Sequence, residues 1–371
     1  MNIGVINESC KIENRAGLTP SSVSLLVENG HTVYVQAGAG LKAGYTNEEY
    51  TAQGANIVFT KDEVFGRSDI VLNISPLNEE ECKLVKKNQI LLGFHHLAVA
   101  PKSLVQGLLK KGVIIIGYEI IQQDNNVLPF IESLSEVAGQ MCLAISGHYL
   151  QTSQSGRGVI IGGVASVPPA TAVIVGSGVL ARSAIKALLG AGAHTIALGR
   201  YMDRLRELEE MTSGRLITLI ASKYNLARMT KVADILIGAV LRPGERAPIM
   251  ITREMVRTMK KGSLIIDLAI DQGGCIETSR LTTLEQPTYI EEGIIHYCVP
   301  NITSAVSRSS TKVLSNSVAP YLLSIGEAGI EGALKQDVSL ARGVYVYDGN
   351  IVKKTTAERF GLPYKELFSS G

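Results

Sequence analysis

A two-domain α/β fold, with a Rossmann nucleotide-binding domain inserted into a discontinuous α/β domain, is what this sequence predicts. Three observations predict it. Thr171-Ala172-Val173-Ile174-Val175 is an apolar run that feeds into Gly176-Ser177-Gly178-Val179-Leu180-Ala181, the strand–turn–helix order of a dinucleotide fold. Short apolar runs alternate with helical patterns on both sides of it, as parallel βαβ units do. The length, 371 residues, leaves room for a second domain. The discontinuous domain is expected at 1–132 and 304–371, and the nucleotide domain at 133–303.

The elements follow in order. A strand is expected at 3–6. Thr19-Pro20 then starts a helix, with threonine as N-cap and proline in the first turn, and Asn29-Gly30 stops it. Further strands read at 32–36, 70–74, 90–94 and 113–116, the later ones buried and parallel. Ser133-Leu134-Ser135-Glu136 matches a capping box ahead of an apolar helix to about residue 150, which links the two domains. Nucleotide-domain strands are expected at 172–175, 195–198, 217–219, 235–237 and 264–267, with one more at 297–299. From about Ser304 a helical stretch runs to Ile325, with a break expected at Pro320, and returns to pack on the first domain.

The glycine-rich turn carries the first chemical inference. Gly176 and Gly178 let the backbone turn tightly and approach a pyrophosphate at a helix N-terminus, and Ala181 packs that helix closely on the sheet. About twenty residues on, at the end of the next strand, a carboxylate would bind the adenosine ribose 2′-hydroxyl of NAD. Gly199-Arg200 stands there instead. Glycine leaves room and arginine supplies a forked cation, which suits a 2′-phosphate and points to NADP(H) in preference to NAD(H). Arg204 and Lys223 are candidates to assist. An arginine at a strand end is also commonly no more than solvated surface.

Composition excludes other classes. A net charge of +2 gives no general attraction to nucleic acid or membrane. Cys10, Cys82, Cys142, Cys275 and Cys298 are scattered, with no Cys-x-x-Cys and no Cys/His cluster, so neither a metal site nor a disulfide framework is expected. That usage fits a reducing cytoplasm. No basic segment leads an apolar core at the N-terminus, so no signal peptide is expected. The uncharged stretch 158–181 is broken by Pro168-Pro169 and reads as a loop plus a strand rather than a membrane span.

Further motifs lie along the chain. They are Asn14-Arg15-Ala16-Gly17-Leu18-Thr19-Pro20, His95-His96-Leu97-Ala98, Ser135-Glu136-Val137-Ala138-Gly139, Ile237-Gly238-Ala239-Val240, Asp267-Leu268-Ala269-Ile270-Asp271-Gln272-Gly273-Gly274 and Tyr297-Cys298-Val299-Pro300-Asn301. Together and in this order the chain resembles the alanine dehydrogenase / pyridine nucleotide transhydrogenase family. The resemblance implies an active site in the interdomain cleft, a homohexamer, and reversible conversion of an L-amino acid into a 2-oxo acid and ammonia. It places the substrate-carboxylate arginine on Arg15, the catalytic histidine on His96 and the catalytic aspartate on Asp271, with Ser135 assigned to the cofactor side. These residue types suit the chemistry. An arginine fork suits a small carboxylate, histidine titrates in the range needed of a proton donor, and a carboxylate stabilises a cationic iminium. Each also has a plainer reading: Arg15 in a surface ion pair, one of the two histidines turned away by strand alternation, and Asp271 capping a turn.

Two departures from the family pattern stand out. The family usually has two lysines, two residues apart, where Asp69-Ile70-Val71-Leu72-Asn73-Ile74-Ser75-Pro76 places Asn73 and Ser75. Losing a cation beside a bound carboxylate costs about 1.5–3 kcal/mol, roughly ten- to hundred-fold in binding. Ser75 retains one neutral hydrogen bond and frees volume for a larger or less anionic substrate. The second departure is Gly199-Arg200, where the family commonly has an NAD-selecting aspartate. The expectation is an NADP(H)-dependent amino-acid dehydrogenase or imine reductase acting on a small amino or oxo acid. The alternatives are a reductase that condenses an amine with an oxo acid to a secondary amine, or a non-catalytic NADP-binding sensor.

Overall fold

The computed structural model describes residues 1–240 and 246–368. Its fifteen strands among the described residues are, in chain order, β1 (Asn2–Val5), β2 (Thr32–Gln36), β3 (Asn56–Val58), β4 (Ile70–Asn73), β5 (Ile90–Gly93), β6 (Ile114–Gly117), β7 (Thr171–Val175), β8 (His194–Gly199), β9 (Ile217–Ile220), β10 (Ile235–Gly238), β11 (Leu264–Asp267), β12 (Thr288–Glu291), β13 (Ile294–Tyr297), β14 (Val344–Tyr347) and β15 (Asn350–Ile351). The chain divides into two compact units, Met1–Leu134 with Ser304–Gly371, and Ser135–Thr303. Residues 369–371 of the expected third segment lie outside the described residues.

The first unit is built on an eight-stranded sheet in the order β15-β14-β6-β5-β4-β1-β2-β3. Strands β1 to β6 are parallel, and β14 and β15 close one edge antiparallel. Strands β4, β5 and β6 are buried along their length, as parallel strands covered on both faces must be. One face packs Ile3, Val5, Leu72 and Ile116 against Leu314, Val318 and Leu322 of the helix Ser307–Gln336. The other packs Val71, Leu91 and Ile115 beneath Phe65, Leu108 and Phe360. From β1 the chain steps to β2 and β3 on one side, then returns to β4 on the other. The strand order therefore reverses between β1 and β4, and the carboxyl ends of strands at such a reversal are where these sheets form a binding crevice.

The returning C-terminal segment also holds the loop that follows β1. The backbone N–H of Asn14 donates to Ser304 Oγ (3.0 Å), that of Ala16 to Thr311 Oγ1 (3.0 Å) and that of Thr19 to Ser315 Oγ (2.9 Å). Thr19 in turn caps the helix Pro20–Glu28 by accepting from Ser22 N–H.

The second unit carries a seven-stranded sheet in the order β12-β13-β11-β10-β7-β8-β9, parallel except for β12. The two-domain α/β architecture is the one expected, and three local expectations need correction. The helix expected to begin at a Ser133 capping box runs Pro129–Tyr149, because Pro129 takes the first-turn position that its ring presets. Ser133 Oγ, inside that helix, donates back to Pro129 O (2.8 Å) instead of capping. The long helix does not break at Pro320, which lies within it; the non-helical residue is Gly329 (φ 69°, ψ 167°), where glycine tolerates positive φ. The strand expected at 297–299 is β13, which ends at Tyr297, and it pairs with the unforeseen β12 through Glu292-Gly293, both at positive φ (52° and 73°) as a tight hairpin turn requires.

Among the described residues no helix is long and apolar enough to cross a membrane, and no group of His, Cys, Asp and Glu is placed to hold a metal ion. Thr311→Val leaves the buried Ala16 N–H without an acceptor. It is expected to lower stability by about 1–3 kcal/mol, read as a lower urea midpoint, with Thr311→Ser close to wild type. An unchanged midpoint in Thr311→Val would show that the loop does not depend on this bond.

Candidate functional site

Four parallel neighbours, β6, β5, β4 and β1, end on the same edge of the first sheet, and each is followed by a polar side chain. Arg15 lies in the loop after β1. It is 5 % exposed and forks onto Glu13, itself 3 % exposed, with Nε–Oε1 at 2.6 Å and Nη2–Oε2 at 2.5 Å. The pair is thus buried rather than on the surface, and a fork–fork contact fixes the guanidinium plane. Glu13, two residues from Arg15, is a partner the sequence reading missed. Its only signal was an acid beside the Asn14-Arg15 motif.

Glu8, also after β1, reaches across the crevice to the segment after β4. Its carboxylate accepts from Ile74 N–H (2.6 Å) and Ser75 N–H (3.0 Å). Burial pushes its pKa up to about 7, and the charges of Glu13 and Glu81 push the same way against the two backbone hydrogen bonds. Glu81 is occupied by Lys61 and by Ser9 Oγ (2.8 Å). Ser75 is half-buried, and its carbonyl accepts from Asn73 Nδ2 (2.8 Å). The sequence reading passed over Glu8, because its importance lies in the strand order and not in a motif.

The two histidines follow β5. His95 is buried, bonded to Leu91 O (3.3 Å), and burial pushes it down to about 4, so it is neutral at physiological pH. His96 is exposed and adopts left-handed backbone (φ 45°, ψ 41°). The strand stops at Gly93, so strand alternation does not separate the histidines; the positive φ of His96 accompanies its exposure. Glu119, after β6, accepts the His96 backbone N–H (2.6 Å) and the Tyr345 hydroxyl (3.1 Å), and lies 3.9 Å from His96 Nδ1. The His96 ring stacks on Phe94, which packs edge-on against Tyr118, and Tyr118 stacks on Phe130 with centroids 4.2 Å apart. A cavity of about 210 Å³ beside the histidines is lined by apolar side chains including Leu77, Leu97, Pro101 and Leu104.

The second unit holds the glycine-rich turn. Gly176 has φ 138°, and a Cβ there would lie 2.2 Å from Ala239 O, so only glycine fits. Gly178 is the N-cap of the helix Val179–Gly190, no side chain caps that end, and nothing lies within 4 Å of where its Cβ would be. A helix N-terminus with no side-chain cap and open space beside Gly178 fits a pyrophosphate. Ala181 is fully buried against the sheet. Gly199 ends β8 pressed between Leu205 and Ser177, within 3.2 Å of each for an added Cβ. Arg200 is exposed and lies over the Tyr201 ring at 5.6 Å, a neighbour the sequence reading missed.

Arg204 pairs with Glu207 (3.2 Å), which also takes Arg182 (2.9 Å). Lys223 opens the helix Lys223–Val232, just after Ala221, whose N–H bonds Gly199 O (2.9 Å). Ser135 is half-buried inside the helix Pro129–Tyr149. Asp271 is exposed on the 3-10 turn Ile270–Gln272. Asp267, at the end of β11, is buried and ties the loop together through the N–H groups of Ala269, Cys275 and Ile276.

Comparison with known proteins covers the whole chain. Residues 4–138 match the family model for the alanine dehydrogenase/PNT N-terminal domain, and residues 142–354 the one for its C-terminal domain. An alanine dehydrogenase of Methanococcus maripaludis is 40% identical over 365 residues, covering 98% of both chains. An alanine dehydrogenase of Halomonas elongata is 38% identical over 369 residues, covering 100% of this chain and 99% of its own. Among solved structures, an L-alanine dehydrogenase aligns with a TM-score of 0.93 at 37% identity, over 97% of this chain and 99% of that one. A transhydrogenase from Sinorhizobium meliloti, at 20% identity and a TM-score of 0.81 over 95% and 99%, shares the fold.

The Glu8 titration has a consequence for stability. An unfolded glutamate titrates near 4.5, and Glu8 in the fold near 7. Between those values the folded chain holds the extra proton, so stability falls as pH rises from about 4.5 to 7 and the deficit is complete above 7. Glu8→Gln is therefore expected to melt higher than wild type at pH 8, by up to about 3 kcal/mol of stability, and to lose most of that advantage at pH 5. A difference in Tm that is the same at both pH values would contradict it.

Proposed function

The chain belongs to the alanine dehydrogenase/PNT family, and from that membership we propose that it is an NADP(H)-dependent amino-acid dehydrogenase or imine reductase. It interconverts an amino acid with its 2-oxo or 2-imino acid. The observation that carries the reaction class is the end-to-end likeness, at about 40% identity, to alanine dehydrogenases. The choice of NADP(H) is supported by Gly199-Arg200 at the end of β8, where a cation lies exposed and no carboxylate stands for a ribose 2′-hydroxyl.

Roles follow from the chemistry of each group. The bound nicotinamide supplies or accepts the hydride at the substrate α-carbon. Arg15, held flat by Glu13, takes the substrate carboxylate, and Ser75 adds a neutral hydrogen bond. In the reductive direction His96 gives a proton to the substrate heteroatom, and in the oxidative direction it takes one from the attacking water. His95, kept neutral by burial, does not compete for that work. Glu119 positions the His96 backbone and lies within charge reach of its ring. Asp271 stabilises the cationic iminium at the nitrogen side. Gly176, Gly178 and Ala181 cradle the pyrophosphate, with Ser135 on the cofactor side. Arg200 takes the 2′-phosphate, assisted by Arg204 and Lys223.

The test is a substrate panel with NADPH and NADH side by side, using 2-oxo acids with and without ammonia. NADPH is expected to be preferred, and Arg200→Asp to cut that preference roughly ten- to hundred-fold, the value of one charge-assisted bond. Equal use of both cofactors, or no effect of Arg200→Asp, would remove the NADP(H) assignment. No turnover with any oxo acid and either cofactor would remove the dehydrogenase itself.

A further inference from the structure

The crevice between β1 and β4 holds a carboxyl group that has no ion-pair partner among the described residues. Glu8 spans it, bonded to the N–H groups of Ile74 and Ser75. Glu13 and Glu81, both acids, act on Glu8, and each is already occupied, by Arg15 and by Lys61. Ser75, next to it, brings no charge. Two further polar atoms in the vicinity lack hydrogen-bond partners among the described residues. Asn73 is fully buried and spends its amide N–H on the Ser75 carbonyl, while its Oδ1 has no donor. Tyr118, 1 % exposed and within reach of the Glu8 charge, has an unpartnered hydroxyl. A carboxylate and an amide oxygen accept and do not donate, and an alkylammonium supplies three donors and no acceptor. The carboxyl ends of strands at a reversal of strand order are where α/β sheets bind ligands.

We propose that Glu8 recognises an alkylammonium group brought by the substrate, so that the enzyme selects a molecule bearing such a cation over one with a neutral side chain. The proposal rests on the dehydrogenase reading and names its substrate class. The ammonium arrives either on the side chain of a diamino acid or on the far end of a diamine, whose other nitrogen condenses as the free base with the oxo acid and releases water.

The experiment has two arms on the intact enzyme. In the first, L-ornithine is compared with L-norleucine, which has a methyl group in place of the ammonium, as substrates for NADP-linked oxidation. In the second, NADPH oxidation by pyruvate is compared with 1,4-diaminobutane and with 1-aminopentane, which has a methyl group in place of the far ammonium, as the nitrogen source. A preference of tenfold or more for the cationic partner in either arm is expected, and the arm that shows it identifies the source. Glu8→Gln should bring that preference to within about twofold while still binding NADPH. Ser75→Lys, which sets an ammonium of the chain's own beside Glu8, should do the same and raise the rate with alanine. Should Glu8→Gln fail to fold, Ser75→Lys carries the test.

Equal kcat/KM within both isosteric pairs would overturn the role of Glu8 and leave the dehydrogenase reading standing. So would a preference that survives both variants. If no substrate turns over, the dehydrogenase reading falls. Calorimetric titration of L-ornithine and L-norleucine then decides the recognition step by itself, equal affinities overturning it.

Discussion

Backbone N–H groups that leave water must find acceptors, and in the loop that carries Arg15 they find them almost three hundred residues away. Ser304, Thr311 and Ser315 accept from Asn14, Ala16 and Thr19, and each such bond, if left unmade in the interior, costs about 1–3 kcal/mol. Strand pairing does not satisfy these groups, since the loop has already left β1. The hydroxyls lie at the start of the segment that returns to the first unit, so the same contacts explain why that unit is discontinuous and why Arg15 is held still. The Glu13 fork depends on this. A bidentate pair gains from its geometry only if the backbone beneath both residues is fixed.

That rigidity bears on how a carboxylate would be received. Arg15 does not have to be gathered from solvent on binding, because burial and Glu13 already hold its plane. The entropy of ordering a long side chain has been met during folding, which is the ordinary meaning of preorganisation. Glu8 shows the opposite arrangement. Its carboxylate is fixed by two N–H groups but held among like charges, so the fold tolerates it at a cost in stability. Residues kept against the interest of stability are most often found where a ligand makes up the difference.

Much of the fold was legible in the sequence, because apolar runs bounded by turn residues describe buried parallel strands well. Thr19-Pro20 capped its helix as read, and the turn at Gly176 follows β7 as read. What escaped reading was non-local. Ser133 and Glu136 fit a capping pattern, but Pro129 upstream had the stronger claim to the first turn. Pro320 was the obvious breaker, yet a helix packed through Val318 and Leu322 absorbs it, and the chain bends where Gly329 makes bending inexpensive. The site divides the same way. Arg15 and His96 were picked out as candidates through their motifs. Glu8 and Glu119 gained meaning only from the strand order that sets β1 beside β4 and β5 beside β6, and no spacing along the chain encodes that adjacency.

The discontinuity of the first unit inverts the order of synthesis and completion. Met1–Leu134 leaves the ribosome first, but its sheet lacks β14 and β15 and its Arg15 loop lacks its acceptors until Ser304 and the residues after it have been made. Ser135–Thr303 is contiguous and has every strand of its own sheet in hand before then. The nascent chain therefore carries an unfinished N-terminal half, with apolar strand faces uncovered, through the whole translation of the second unit. That interval is when such a protein is most open to aggregation and most in need of a chaperone.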